Sequence, residues 1–315
     1  MQDKQKLLVI VGPTASGKSE LAVFLAKYIK KHKLGGFKGA EIISADSRQV
    51  YKFLDVGTNK VPGRWQNFGK FRTPSFRNFV YKNIPHHCID FVHPKKTYSV
   101  AEYQRCAKKA IVEIVKRGNI PIIVGGTGFY IKAVVDDLEL PLVPPNSELR
   151  KKLEKKSTEV LLGMLLRLDP ERAKRIDSKN PRRLIRAIEI VQATKKPVQL
   201  LKENMHKNVL MLGLHKSKEK LKKAIEQRSK KMIHGLIKEI QLLKKLKVSQ
   251  KRIHALGFEY NINFGSSVSE IKKMLTRENL RYAKRQMTWF KRDKRIRWIE
   301  EKKDALELVR AFLKN

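Results

Sequence analysis

"LLVIVGPTASGKSELAVFLAKYIKKHK", residues 7–33, presents an apolar run, a glycine-punctuated loop and a helical stretch in that order. The loop is Gly12, Pro13, Thr14, Ala15, Ser16, Gly17, Lys18 and Ser19, which fits G-x-x-x-x-G-K-[ST]. Its glycines let the backbone curl until successive N–H groups converge on one anion, and Lys18 adds a point charge. A helix starting near Gly17 brings unpaired amides and the positive end of its dipole to the same place. Ser19 supplies a hydroxyl where Mg²⁺ is expected, a hard ion that prefers oxygen ligands and binds through substrate phosphates. A glycine turn could match the string by chance, but strand, loop and helix arrive in the order the mechanism requires. The loop therefore binds a diphosphate or triphosphate with a metal, and leaves open which reaction follows.

Further apolar runs extend the pattern outward: "AEIISAD" at 40–46, "HHCIDFV" at 86–92, "IPIIVGG" at 120–126 and "NVLMLGL" at 208–214. Short Val/Ile-rich runs of this kind suit strands buried on both faces of a parallel sheet. Gly17–Lys33 and Ser99–Lys116 read as helices between them, the second opening on the N-cap Ser99. The expected fold is α/β: a P-loop-type doubly wound parallel sheet, with ligands at the carboxyl ends of its strands. After Pro144 and Pro145 the chain from Ser147 to Thr194 has helical periodicity and no strand-like run. Because "NVLMLGL" then resumes the strand pattern, that stretch is an all-helical insertion. The expected division is 1–140 for the first part of the core, 141–206 for the insertion, and 207–315 for the core continuation with basic C-terminal helices.

The chain carries 70 Lys+Arg against 30 Asp+Glu, a formal charge of +40. The basic residues are spread along the chain, which favours nucleic acid over a membrane surface as the polyanionic partner. A lysine-rich compositional bias is the competing explanation for runs such as "KKLEKK". The arginines grouped in "NPRRLIRAIEI" and "NLRYAKRQMTWFKRDKRIRW" fit a nucleic acid better, since Arg makes bidentate phosphate contacts and stacks on bases. Cys88 and Cys106, without a CxxC, suit a reducing cytosol and exclude a disulfide framework. "HHC" at 86–88 has no second Cys/His pair at zinc spacing. No apolar run approaches the roughly 18 residues that cross a bilayer, and "MQDKQK" lacks a signal-peptide core. A cytoplasmic protein, with no membrane partner, is the expectation.

Two stretches bear on the chemistry. In "ISADSRQVYKFLDVGTNK", residues 43–60, Asp46 follows a strand and projects at the rim that carries the phosphate loop. It can accept a proton from a nucleophile or hold Mg²⁺ through water; capping a helix is its alternative use. In "IPIIVGGTGFYI", residues 120–131, the strand ends in Gly125, Gly126 and Thr127. Many NTP-hydrolysing P-loop proteins have a Mg²⁺-holding Asp at that place. Its absence weakens an ATPase assignment, while the glycines allow a close ligand approach and Thr127 offers a hydroxyl.

Together, "GPTASGKS", "ISADSRQVYKFLDVGTNK", "YSVAEYQ", "PIIVGGTGFY", "NPRRLIRAIEI" and "YAKRQMTWFKRD" resemble the tRNA dimethylallyltransferases, also called tRNA isopentenyltransferases, from about Leu7 to Glu300. The resemblance implies transfer of the dimethylallyl group of dimethylallyl diphosphate to the exocyclic amine of the adenine 3′ of the anticodon, with release of diphosphate. It implies that Gly12–Ser19 hold the diphosphate, that Ser19 helps bind Mg²⁺, and that Asp46 is the general base with Lys18 and Thr127 beside the reacting centre. Arg228, in "AIEQRSKKM", is placed on the diphosphate by the same likeness. Asp46, Ser47, Arg48 and Gln49, and Arg182, Arg183, Leu184, Ile185 and Arg186, fall in stretches that contact the tRNA anticodon stem-loop in that family. A monomer would suffice.

An anticodon-loop adenine is unpaired and can be splayed out and read at its edges. Trp289, Phe290 and Trp298 are candidates for stacking on bases or for the core. Arg182 stands where the family often has Gln, so a phosphate contact would replace a base contact there. The basic, aromatic segment between Val61 and Pro85 is longer than the family pattern, and reads as an RNA-binding flap or a β-rich excursion. Two rival functions remain at this level: a kinase using the loop for ATP, and an RNA-binding module that keeps the loop as a relic.

Overall fold

The computed structural model describes residues 5–67 and 77–314. Eight strands form one sheet: β1 (Leu7–Val11), β2 (Gly39–Ser44), β3 (Arg64–Asn67), β4 (Arg77–Tyr81), β5 (Ile84–His87), β6 (Asn119–Val124), β7 (Val209–Leu214) and β8 (Ile296–Ile299). Their order is β3-β4-β5-β2-β6-β1-β7-β8, parallel from β5 to β8, with β3 and β4 added antiparallel at one edge. β1 lies between β6 and β7, so the direction of winding reverses beside it and a crevice opens at the strands' carboxyl ends.

The sheet is covered on both faces because β1 sends side chains alternately to each. Leu8 and Ile10 pack among residues of α1 (Lys18–His32) and the C-terminal α11 (Lys302–Lys314), while Leu7, Val9 and Val11 pack with α2 (Val100–Lys116) and α3 (Gly128–Val135). None of the five is more than 2% exposed, which is why the run lacks a polar alternation. Ser99 caps α2 in a reciprocal capping box with Glu102. A third cluster joins residues 50–54 to α8 (Lys218–Lys245), α9 (Gln250–Leu256) and α10 (Val268–Phe290).

Residues Leu138–Asn204 form a compact unit of their own, where the sequence suggested 141–206. It contains α4 (Ser147–Leu153), α5 (Thr158–Leu168), α6 (Pro170–Arg175) and α7 (Pro181–Thr194), each started by a side-chain cap from Asn146, Ser157, Asp169 or Asn180. Leu153, Leu161, Leu165, Leu184 and Ile188 fill its core.

Two expectations need correction. The run "HHCIDFV" is a strand only at its start: β5 is "IPHH", and Cys88 and Asp90 take positive φ, which ends the extended backbone. Cys88 and Cys106 are bonded to each other, because the turn after β5 meets α2 with the two Cα atoms 6.2 Å apart. That is a single staple on a packed core, across an 18-residue separation that leaves no local sequence signal. Of the long segment at 61–85, the described parts hold strands β3 and β4 at the sheet edge and the start of β5, in line with a β-rich excursion, and residues 68–76 lie outside the described residues. No helix among the described residues is long and apolar enough to cross a membrane.

Candidate active site

The loop after β1 makes its turn through positive φ at Gly12, Ala15 and Gly17, and Gly17 delivers the chain into α1 with no side chain capping that helix. The first-turn amides of α1 are thereby aimed outward with the positive end of the helix dipole behind them. Lys18 Nζ donates to the Pro13 carbonyl at 2.6 Å and Lys216 Nζ to that of Ala15 at 3.3 Å. Arg228, from α8, donates to Thr14 Oγ1 and to the Gly57 carbonyl at 3.4 Å. Ser16 Oγ and Arg228 Nε are buried without a hydrogen-bond partner. Orphaned polar atoms beside converging cations mark a place built for an anion.

A cavity of about 670 Å³ opens there, lined by Lys18, Ser19, Asp46, Gly126, Arg228 and Gln286 among others. Burial lowers Lys18 to about 8, with Arg228 acting in the same direction and Asp46 opposing. Burial likewise lowers Arg228 from its ordinary value, opposed by Glu259 and Asp46.

Asp46 stands just past β2. Its Oδ1 accepts the amides of Arg48 at 2.9 Å and Gln49 at 3.3 Å, so it caps the following turn and lines the cavity at once. Ser47 N donates to Thr127 Oγ1 at 3.0 Å, and Thr127 N to the Ala45 carbonyl at 3.1 Å, which ties the end of β6 to the end of β2. The glycines before Thr127 serve protein packing: a Cβ on Gly125 would lie 2.1 Å from the Ala45 carbonyl oxygen, and one on Gly126 2.1 Å from Gln286 Nε2. Gln286 fills that space, donating to the Gly126 carbonyl and accepting the Thr14 amide at 2.8 Å. One side chain of α10 thus joins the phosphate loop to the end of β6.

The residues assigned to tRNA divide. Arg48 bonds Glu259 and lies over the rings of Phe258 and Tyr282, at 5.3 and 5.7 Å; Gln49 Nε2 donates to the carbonyls of Thr58 and Asn59. Both side chains are committed within the fold. Arg182 and Arg183 are exposed on α7, with Arg183 reaching Asp177 at 3.4 Å. Leu184 and Ile185 are not surface contacts: they point into the core of the helical unit, as the period of α7 requires. Arg186 bonds the buried Glu189 and the Val143 carbonyl. Phe290 is buried in the sheet core, whereas Trp289 and Trp298 remain exposed.

Sequence reasoning missed Gln286, Lys216, Lys231 and Tyr282, all of which line the cavity. Only the position of Gln286 and Tyr282 inside "YAKRQMTWFKRD" hinted at two of them.

The IPP transferase family matches residues 49–293. The chain is 40% identical to the tRNA dimethylallyltransferase of Pelotomaculum thermopropionicum over 94% of this chain and 91% of that one. Its structure resembles the crystal structure of a full-length tRNA isopentenylpyrophosphate transferase from Bacillus halodurans, with TM-score 0.64, 31% identity, and 98% and 96% of the two chains covered. A second, from Staphylococcus epidermidis, gives TM-score 0.61 and 32% identity over 98% and 97%.

Proposed function

The chain belongs to the IPP transferase family and is a tRNA-modifying prenyltransferase, and we propose that its donor is dimethylallyl diphosphate and its acceptor the exocyclic amine of the adenine 3′ of the anticodon. One observation carries the choice of donor: Lys18, Arg228 and the start of α1 surround one cavity with Asp46. That arrangement suits a departing diphosphate and a nucleophile that must lose a proton.

In the reaction the allylic C1–O bond breaks and its electron pair leaves with diphosphate, while the amine nitrogen bonds C1 and gives up one proton. Lys18 and Arg228 meet the charge that grows on the leaving oxygen, where fixed donors act most strongly in the transition state. Asp46 takes the proton; Oδ1 is held by the amides of Arg48 and Gln49, which leaves Oδ2 to face the amine. Thr127, bonded to Ser47 N, fixes the backbone next to Asp46. Residues of the 55–59 stretch and of α8 line the cavity, where they displace water that would otherwise compete for the allylic carbon.

Among the described residues no group of three or more His, Cys, Asp or Glu could hold a metal. The Ser19 hydroxyl and the Asp46 carboxylate are oxygen donors that line the cavity beside the loop. These donors fit Mg²⁺, which Ser19 and Asp46 would help hold together with oxygens of the diphosphate. When bound, the ion neutralises charge on the leaving diphosphate. One chain carries the whole set, so a monomer is the proposed working unit.

The test is incubation with tRNA, Mg²⁺ and labelled dimethylallyl diphosphate. Label in the anticodon-loop adenosine is expected. Consumption of ATP without tRNA would favour a kinase, and tRNA binding without diphosphate release a binding module.

A further inference from the structure

Residues 55–59 form a strap along the cavity, and one side chain holds its backbone. Glu239 of α8, 8% exposed, accepts the amides of Asp55 at 2.6 Å, of Val56, and of Gly57 at 3.0 Å, together with the Tyr260 hydroxyl at 3.1 Å. Three consecutive N–H groups on one carboxylate make a backbone nest closed on a resident anion. The opposite edge of the strap faces the site: the Gly57 carbonyl accepts from Arg228, and those of Thr58 and Asn59 from Gln49. Arg228 and Glu239 are three turns apart on α8 and so lie on one helix face. Between them Gly235 lets the strap lie flat, since a Cβ there would come 2.8 Å from Val56 Cγ2.

We propose that Glu239 is a positioning residue for the diphosphate site: by fixing the amides of residues 55–57 it places the Gly57 carbonyl, and through it the Arg228 guanidinium. The inference rests on the loop's being a diphosphate site. A group that only stabilised the fold would lower the melting temperature without any energetic link to Arg228, whereas a positioning group loses its effect once Arg228 is gone.

Calorimetric titration of the full chain with inorganic diphosphate tests this in Glu239→Gln, Arg228→Ala and the double variant. Glu239→Gln is expected to bind diphosphate roughly tenfold more weakly, about the worth of one hydrogen bond to a charged group. The double variant is expected to bind no worse than Arg228→Ala alone. Tyr260→Phe keeps the ring and removes one hydrogen bond to the same carboxylate, and carries the test through the same cycle if Glu239→Gln does not fold. Unchanged affinity in the folded variants, or effects that add to that of Arg228→Ala, would overturn the inference while leaving the functional reading intact. Failure of the unsubstituted chain to bind diphosphate would overturn both.

Discussion

Lys18 gives the sharpest quantitative consequence of the site. Burial among the loop carbonyls brings its ammonium down to about 8 from the ordinary 10.5, with Arg228 adding to the fall. A diphosphate seated against Nζ adds negative charge to that of Asp46 and returns the value toward the ordinary one. Lys18 then binds more protons in the complex than in the free protein, so affinity should fall as pH rises above about 8, by up to tenfold per pH unit, and be indifferent to this group below about 7. The whole span corresponds to about 3 kcal/mol at most. Above about pH 8 the free protein has lost part of this proton and the complex keeps more of it, so a fraction of a proton should be taken up per anion bound. Calorimetry with dimethylallyl diphosphate, without tRNA, in buffers of different ionisation enthalpy counts these protons. Lys18→Met keeps the alkyl stem and should abolish the difference, since any proton released by the ligand itself is common to both proteins. Equal uptake by both would refute the placement of the diphosphate on Lys18.

The same shift acts on folding with its own sign. Between about 8 and 10.5 the unfolded chain holds the Lys18 proton and the folded chain does not, so this group makes stability rise with pH across that window. Below pH 8 the burial cost is present in full, and Lys18→Met should raise the melting temperature of the ligand-free protein there.

Asp46→Asn preserves the acceptor for the Arg48 amide and removes the base, so turnover should drop by about 10²–10⁴ with diphosphate affinity kept; a near-normal single-turnover rate would exclude Asp46 as the base. Leu184→Ala should cost about 2–5 kcal/mol of stability in the helical unit, read by hydrogen exchange of α7, because it opens a cavity in a packed core. Arg182→Ala, by contrast, should leave exchange unchanged and weaken tRNA binding. That binding should weaken steeply with salt, with a logarithmic slope of roughly 0.7–0.9 per phosphate contacted; a flat profile would mean that the charge is compositional.

What was legible in the sequence was whatever is local in the chain. The phosphate loop announced itself because eight consecutive residues set both its backbone path and its charge, and β1 did so because burial on both faces leaves an unbroken apolar run. Leu184 and Ile185 lie in the core for a reason the sequence itself contains. They stand with Ile188 and Val191 at the spacing of one helix face, the one that α7 buries. Gly125 and Gly126 had the right meaning, a close approach, but the neighbours are Ala45 and Gln286, which lie far away in sequence. No periodicity could have paired Thr14 with Gln286 across 272 positions.

Those distant pairings explain how the cavity is assembled. The helices after β7 send buried polar side chains into the site segments one by one: Glu239 to residues 55–57, Glu259 to Arg48, and Gln286 to Thr14 and Gly126. Burying such groups is costly unless each finds its partner, so this layer has little freedom to pack in another register. A module that merely bound RNA through surface lysines would need no such buried connections. A site that must hold Lys18, Arg228 and Asp46 in fixed relation across three separate stretches of chain does need them, and cutting one should perturb the cavity before it unfolds the protein.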